Sequence, residues 1–244
     1  MNITDFIQPD WPAPGNVSAL CTTRLPKEGT VPYLGFNLAL HVGDDRQEVE
    51  ARRVRLQQMM HWQQAPAWLV QAHTADVIRA DSVIRDTSIA DASFTRSKGL
   101  PCIVQTADCL PLLMCNASGT QVAAVHAGWR GVLNGIIFEQ MRHFEPAETM
   151  VWLGPAISQQ AFEVGAEVRA QFVEKNAAYA EAFTPKGDKF LADLYRLACM
   201  QLAEAGVGQI YGGVDCTFSD SEKYYSYRRD GETGRLASFI WINS

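Results

Sequence analysis

The chain has 244 residues, of which 47% are hydrophobic and 20% charged, and its formal net charge is −6. That balance supplies a sizeable core and excludes a disordered, collagen-like or coiled-coil chain. It also argues against a nucleic-acid binder, which would carry a basic face, and against a membrane protein, because no apolar run approaches the roughly 18 residues of a span.

The first fifteen residues hold Asp5 and Asp10 and no apolar stretch, so no secretion signal is read and a cytoplasmic location is expected. Asn16–Arg24 reads as a strand of small and β-branched residues, followed by a loop with Pro26, Gly29, Pro32 and Gly35. Asp45 with Glu48 three residues on resembles a capping box and opens a charged helix to about Trp62. Ala67–Gln71 and Asp76–Arg79 read as strands on either side of a turn at His73.

The middle of the chain stands apart. From Gly99 to Trp129 the 31 residues carry one formal charge, Asp108. Apolar runs at Cys102–Gln105, Leu110–Cys115 and Gln121–His126 suit strands buried on both faces. After Gly131 a helix is expected through Leu133, Ile136, Ile137, Gln140, Met141 and Phe144. A strand at Val151–Leu153 follows, then helices over 167–176 and, with Leu191, Leu194, Ala198, Leu202 and Ala205 in register, up to Gly206. Strands at Ile210–Cys216, Lys223–Arg228 and Leu236–Ile242 close the chain. Interleaved strands and helices with hairpin-like turns give an α+β fold with mixed sheets covered by helices, in a single domain spanning residues 1–244.

Four places can carry chemistry. Asp108 beside Cys109 is a carboxylate in an apolar region, which needs a partner; it is either a turn Asp accepting backbone N–H groups or an orienting group at a strand end. His126 ends an apolar strand and leads through Ala-Gly-Trp-Arg-Gly into a helix, a unit that suits an anion, although alone it reads as a core histidine. His73 sits in a turn. Two imidazoles and a thiolate, His73, Cys109 and His126, form a plausible ligand set for zinc with one position open, or for copper, but spacing alone does not bring them together. The basic clusters Arg52/Arg53/Arg55 and Arg228/Arg229/Arg235 suit a small anion; the second reads either as an exposed hairpin around Asp230–Gly231 or as a phosphate or carboxylate clamp. The six cysteines form no CxxC pair, so neither a zinc knuckle nor a disulfide framework is expected.

The segments Thr106-Ala-Asp-Cys-Leu-Pro-Leu-Leu, Val125-His-Ala-Gly-Trp-Arg-Gly, Trp152-Leu-Gly-Pro-Ala-Ile, Phe162-Glu-Val-Gly and Ser226-Tyr-Arg-Arg-Asp resemble the YfiH family, also called the laccase-domain or multicopper polyphenol oxidase family. Its members are described as purine nucleoside phosphorylases and as peptidoglycan-editing factors. The resemblance runs from Trp11 to Trp241. It implies a four-layer α/β/β/α fold (CNF/YfiH-like, related to certain toxin cysteine hydrolases). It also implies that His73, Cys109 and His126 form the family's metal site. Gln71-Ala-His73-Thr74 departs mildly from the family's usual Gln-Val-His-Gly. Substrate and anion contacts are implied among Asn37, Arg52, Arg130 and the segment carrying Ser226, Arg228 and Arg229.

Classical laccase chemistry needs many imidazoles, and the chain has five. His41, His61 and His143 would have to contribute, with the last two expected in helices. Among the activities that the resemblance implies, the expected function is a zinc-dependent purine nucleoside phosphorylase, with copper as the other metal and adenosine deamination as a second activity. Phosphate would be held by Arg130 with Arg228 or Arg229, and the purine stacked by Trp129, Phe36 or Tyr227. Cys109, His126 and Asp108 are the expected catalytic residues. The competing readings are amide hydrolysis on a cell-wall precursor, copper-dependent polyphenol oxidation, a free Cys109 nucleophile paired to His126, and a structural zinc that would need a fourth ligand such as Cys102 or Cys115. A monomer or weak homodimer acting on a small molecule is expected.

Overall fold

The computed structural model describes residues 5–243. The strands are β1 (Val17–Cys21), β2 (Val77–Arg79), β3 (Ala92–Thr95), β4 (Cys102–Thr106), β5 (Leu110–Asn116), β6 (Val122–Ala127), β7 (Thr149–Leu153), β8 (Glu163–Val164), β9 (Phe183–Lys186), β10 (Lys189–Ala192), β11 (Gln209–Gly212) and β12 (Leu236–Ile242). The helices are α1 (Arg46–Met59), α2 (Trp129–Asn134), α3 (Ile136–Met141), α4 (Ala166–Lys175), α5 (Leu194–Glu204) and α6 (Tyr227–Asp230). A six-stranded mixed sheet has the order β11-β7-β5-β6-β3-β2, and a three-stranded antiparallel sheet has the order β1-β12-β4. A small third sheet has the order β8-β10-β9. Among the described residues no helix is long and apolar enough to cross a membrane.

The alternation of side chains along the strands builds the layers. On β5, Leu110, Leu112 and Met114 point into the core shared with Ile136, Ile137, Leu194 and Leu197 of α3 and α5. The intervening Leu113 and Cys115 point the other way, against Cys102 and Val104 of β4 and Leu236 and Ile240 of β12. The far face of the three-stranded sheet, with Ile103 and Phe239, packs on Leu56 of α1 and on Trp62 and Phe36. The order is helix, sheet, sheet, helix, the four layers implied by the resemblance. Both central sheets are covered on both faces, which explains why β5 and β6 read as unbroken apolar runs.

Asp45 caps α1 by accepting the Glu48 N–H, as the capping box predicts. Other expectations need correction. The expected helix from Gly131 to Phe144 is two helices, because Gly135 adopts φ +92° between α2 and α3. Ala67–Gln71 makes only isolated bridges at Ala67 and Val70 rather than a strand. Leu191 lies in β10, so α5 begins at Leu194. The strand expected to reach Cys216 stops at Gly212. Lys223–Arg228 is no strand: Ser226 accepts the Arg229 N–H and caps the short α6, and Gly231 ends that helix rather than turning a hairpin. All six cysteines are free.

Candidate metal centre

The chain leaves the three-stranded sheet at the end of β4 and enters the six-stranded sheet at β5. Ala107–Cys109 makes that crossing, with Asp108 at φ +87°. The antiparallel register sets Leu110 opposite Ala127 and Pro111 opposite His126, so the crossing delivers Cys109 beside the end of β6. His73 arrives from the loop before β2, with φ +59°. One ligand atom from each of His73, Cys109 and His126 lies within 4.8 Å of the others, and among the described residues no other group of three or more His, Cys, Asp or Glu side chains converges in this way. Cys109 Sγ is 3.7 Å from His73 Nε2, and the two imidazoles are 4.8 Å apart, edge to face.

Asp91 holds this arrangement together. It is fully buried just before β3. Its Oδ1 accepts from His126 Nδ1 at 2.6 Å and from the His73 N–H at 3.1 Å. Its Oδ2 accepts from the N–H groups of Ala72 and Thr74 and from the Thr74 hydroxyl. One carboxylate therefore fixes the tautomer of His126, leaving Nε2 free to coordinate, and folds the loop that presents His73. Burial opposes the charge on Asp91, but these hydrogen bonds and the His126 imidazole outweigh it and hold its pKa down at about 2. Burial likewise opposes a Cys109 thiolate, yet the charge of His126 and hydrogen bonds from both imidazoles bring the thiol well below its ordinary range. The same pairing raises His126.

The donor set fits a metal. An ideal tetrahedral zinc, with Zn–N about 2.0 Å and Zn–S about 2.3 Å, places N and S donors about 3.6 Å apart, close to the 3.7 Å between His73 and Cys109. Gly128 keeps the space in front of the sulfur clear: a Cβ there would sit 2.9 Å from Cys109 Sγ and 3.0 Å from His73 Cδ2. The fourth donors considered for a structural zinc are elsewhere, since Cys102 and Cys115 are buried between the two sheets.

The triad opens onto a cavity of about 550 Å³ that also exposes Trp129, Arg130, Tyr227, Arg228 and Arg235. None of the three guanidiniums has a carboxylate partner among the described residues. Arg130 lies over the Trp129 ring at 4.3 Å. Arg228 donates to the carbonyl of Glu163, and Arg235 to those of Thr233 and Gly234. The cavity wall is therefore positively charged.

Of the remaining sequence candidates, Asn37, Arg52, Ser226, Arg229 and Phe36 lie outside the cavity lining. Asn37 is fully buried and accepts the Arg235 N–H. Arg52 is spent on Asp44 and the Asn37 carbonyl. Ser226 caps α6, and Arg229 donates to the carbonyls of Thr217, Phe218 and Tyr224. Phe36 is closed in the core. Asp108 lines the cavity, but its Oδ1 accepts from the Thr217 hydroxyl and its Oδ2 from the Arg228 N–H, both at 2.6 Å. His61 and His143 lie just past the ends of α1 and α3 rather than within them, whereas His41 lines the cavity. Sequence reasoning missed Asp91 and left Arg235 in the background; the basic cluster at 228–235 was the signal for the latter.

A family model described as multi-copper polyphenol oxidoreductase laccase matches residues 18–243. YfiH of Escherichia coli (strain K12), described as a purine nucleoside phosphorylase, is 46% identical over 242 residues, covering 98% of this chain and 100% of that protein. PA4543 of Pseudomonas aeruginosa, described in the same way, is 45% identical over 243 residues, 97% of this chain and 98% of that protein. The crystal structure of protein NMB0706 from Neisseria meningitidis matches with a TM-score of 0.94 at 44% identity, over 98% of this chain and 100% of that one. YlmD from Geobacillus stearothermophilus matches with a TM-score of 0.86 at 27% identity, over 98% and 97% of the two chains. The chain belongs to the multi-copper polyphenol oxidoreductase laccase family, the YfiH family that its motifs resemble.

Proposed function

We propose that this protein is a metal-dependent purine nucleoside phosphorylase, converting a purine nucleoside such as adenosine, inosine, guanosine or methylthioadenosine and phosphate to the free base and a ribose 1-phosphate. The reading rests on one observation above all: three metal donors and three guanidiniums without carboxylate partners face the same cavity. Relatives 45–46% identical over nearly the whole chain that are described as purine nucleoside phosphorylases support it. The intersheet core shared by the two larger sheets supports treating the chain as one domain.

His73, Cys109 and His126 are the residues that would hold the metal, with zinc as the proposed ion and copper as the alternative. Zinc bound by three protein ligands supplies a Lewis acid with one position open. A ligated Cys109 thiolate is not free to act as a nucleophile. Arg130, Arg228 and Arg235 take the phosphate dianion, whose oxygens match their forked donors. Trp129 and Tyr227 offer flat faces to the purine. A phosphate oxygen forms a bond to the ribose C1′ as the C1′–N9 bond breaks; the electron pair leaves on the purine, which takes up a proton. Asp108 acts as a positioning residue, because both its oxygens are engaged in fixing the Arg228 backbone beside the crossing that carries Cys109.

The test is to incubate metal-quantified protein with inosine and with adenosine, each with and without phosphate, and to identify the products. Phosphate-dependent release of hypoxanthine or adenine, with a ribose 1-phosphate formed, supports the reading; inosine formed from adenosine without phosphate reveals deamination. Bound metal with no turnover of any nucleoside would overturn it in favour of amide hydrolysis.

A further inference from the structure

Phosphorolysis leaves an electron pair on the departing purine. That pair spreads from N9 over the five-membered ring to N7, and a hydrogen-bond donor lying in the plane of the base lowers the cost of its departure. Rings that stack on the base cannot be that donor, because their own N–H and O–H groups lie above the purine plane; this removes Trp129 and Tyr227. The other polar groups of the metal-facing cavity are already engaged. His73, Cys109 and His126 form the metal set. Both oxygens of Asp108 accept hydrogen bonds, and the Gln71 amide donates to the Gln105 carbonyl.

His41 lines the same cavity, and its imidazole makes no hydrogen bond or ion pair among the described residues. The loop that carries it is nevertheless clamped on both sides. Before His41, Asn37 Oδ1 accepts the Ala39 N–H and Arg53 Nε donates to the Leu38 carbonyl at 2.8 Å. After it, the Tyr33 hydroxyl sits 2.6 Å from the Val42 carbonyl, and Asn37 Nδ2 donates to the Asp44 carboxylate. Asn37 Oδ1 also accepts the Arg235 N–H, which ties this loop to a guanidinium of the cavity wall. Arg235 in turn lies over the Tyr227 ring, 5.8 Å from its centre. Partial desolvation and the charges of Arg235 and Arg53 hold the His41 pKa below its ordinary 6.5, with His126 acting the same way and Asp86 against it. Near pH 7 the ring is therefore neutral and keeps one N–H, and a neutral imidazole is an effective donor to developing negative charge.

We infer that His41 is a further catalytic residue, the in-plane hydrogen-bond donor to N7 of the purine as it leaves. The inference rests on the phosphorylase reading. The phosphate oxygen bonds to C1′ while the C1′–N9 bond breaks with its electron pair on the base. The His41 N–H is shared with N7 without being transferred, and the free base takes its proton from water.

The test compares metal-quantified wild type, His41→Ala, His41→Phe and Tyr227→Phe on inosine and on 6-chloropurine riboside, each with phosphate varied. The chlorine withdraws charge from the departing base, so this second base leaves with less help from a donor. In both His41 variants kcat on inosine falls by about 100–1000-fold, the loss expected for one donor to developing charge, and on 6-chloropurine riboside by about a tenth of that or less. Metal content and the KM for phosphate stay as in wild type, and Tyr227→Phe shows no dependence on the leaving base. Wild-type kcat on inosine in the His41 variants would overturn the inference. Equal losses on the two ribosides would make His41 a wall of the cavity and overturn it too. A loss carried by the KM for phosphate would place His41 on the anion instead, and a leaving-base dependence in Tyr227→Phe would move the role to that hydroxyl; either result overturns it. If wild type cleaves no purine riboside, the phosphorylase reading itself has failed and the inference falls with it.

Discussion

Replacing Asp91 with asparagine removes a charge and exchanges one acceptor oxygen for a donor amide. The amide is accommodated at lower cost at the Oδ1 position, where two donors lose their acceptor, than at the Oδ2 position, where three do. The His73 N–H then has no partner, a loss of about 1–3 kcal/mol for a buried group. His126 can satisfy the new amide only by accepting on Nδ1, which moves its proton to Nε2, the nitrogen that should face the metal. The expected result is a drop in metal affinity of about 10–100-fold, the range for an outer carboxylate on a ligating histidine, and a Tm lowered by roughly 2–12 °C. Competition with a chromogenic chelator gives the affinity, and thermal unfolding of metal-free protein gives the stability. An Asp91→Asn variant with affinity within twofold of wild type would refute the argument that this carboxylate fixes the His126 tautomer.

Gly128→Ala should weaken metal binding while leaving the unfolding of metal-free protein nearly cooperative as before, because the added Cβ meets Cys109 Sγ at 2.9 Å while the backbone keeps an ordinary φ of −63°; unaltered metal stoichiometry and affinity would count against the packing argument. Gly135→Ala meets nothing nearer than Phe138 Cδ2 at 3.8 Å, so its cost is the left-handed backbone alone. That cost is about 1–2 kcal/mol, or a Tm lowered by roughly 2–8 °C, and a Tm equal to wild type would contradict it. Arg130→Ala should raise the KM for phosphate by about tenfold or more, the loss expected for a charge-assisted contact, and an unchanged phosphate dependence would remove Arg130 from the anion site. Burial and the neighbouring Arg142 hold the His143 imidazole below its ordinary pKa of 6.5. The unfolded chain then binds this proton more tightly than the folded one, so stability contributed here is present above pH 6.5 and falls as the pH drops through it. Wild type should lose more Tm than His143→Gln between pH 7.5 and 5.5, and equal losses would dismiss this group.

What was legible follows from which signals are local. β5 and β6 are continuous apolar runs because both faces are buried, and Asp45 announces α1 through a side chain three residues from its target. The region around Asp91 offers only a faint signal: β3 is Ala-Ser-Phe-Thr, an alternation just four residues long, and the Asp91 side chain acts on His126 and on the 72–74 loop, partners far away in sequence. α6 was misread because Tyr224 and Tyr225 favour a strand by type, while the residue that decides is the capping Ser226. The metal ligands depend on the resemblance in the sequence and on sheet register in the fold. The pairing of Pro111 with His126 brings Cys109 to the imidazole, and no spacing rule encodes that pairing. The anion residues divided for a similar reason. Arg228 and Arg229 are neighbours in sequence, but α6 turns one toward the cavity and the other onto carbonyls behind it.

The central claim is that the His73–Cys109–His126 centre drives phosphorolysis of a purine nucleoside. The direct measurement runs wild type and Cys109→Ala side by side with inosine and phosphate, with metal content determined on the same samples. The account predicts unit metal and ribose 1-phosphate in wild type, and neither in the variant. Full turnover by metal-free Cys109→Ala, or unit metal in wild type with no ribose 1-phosphate, would contradict it.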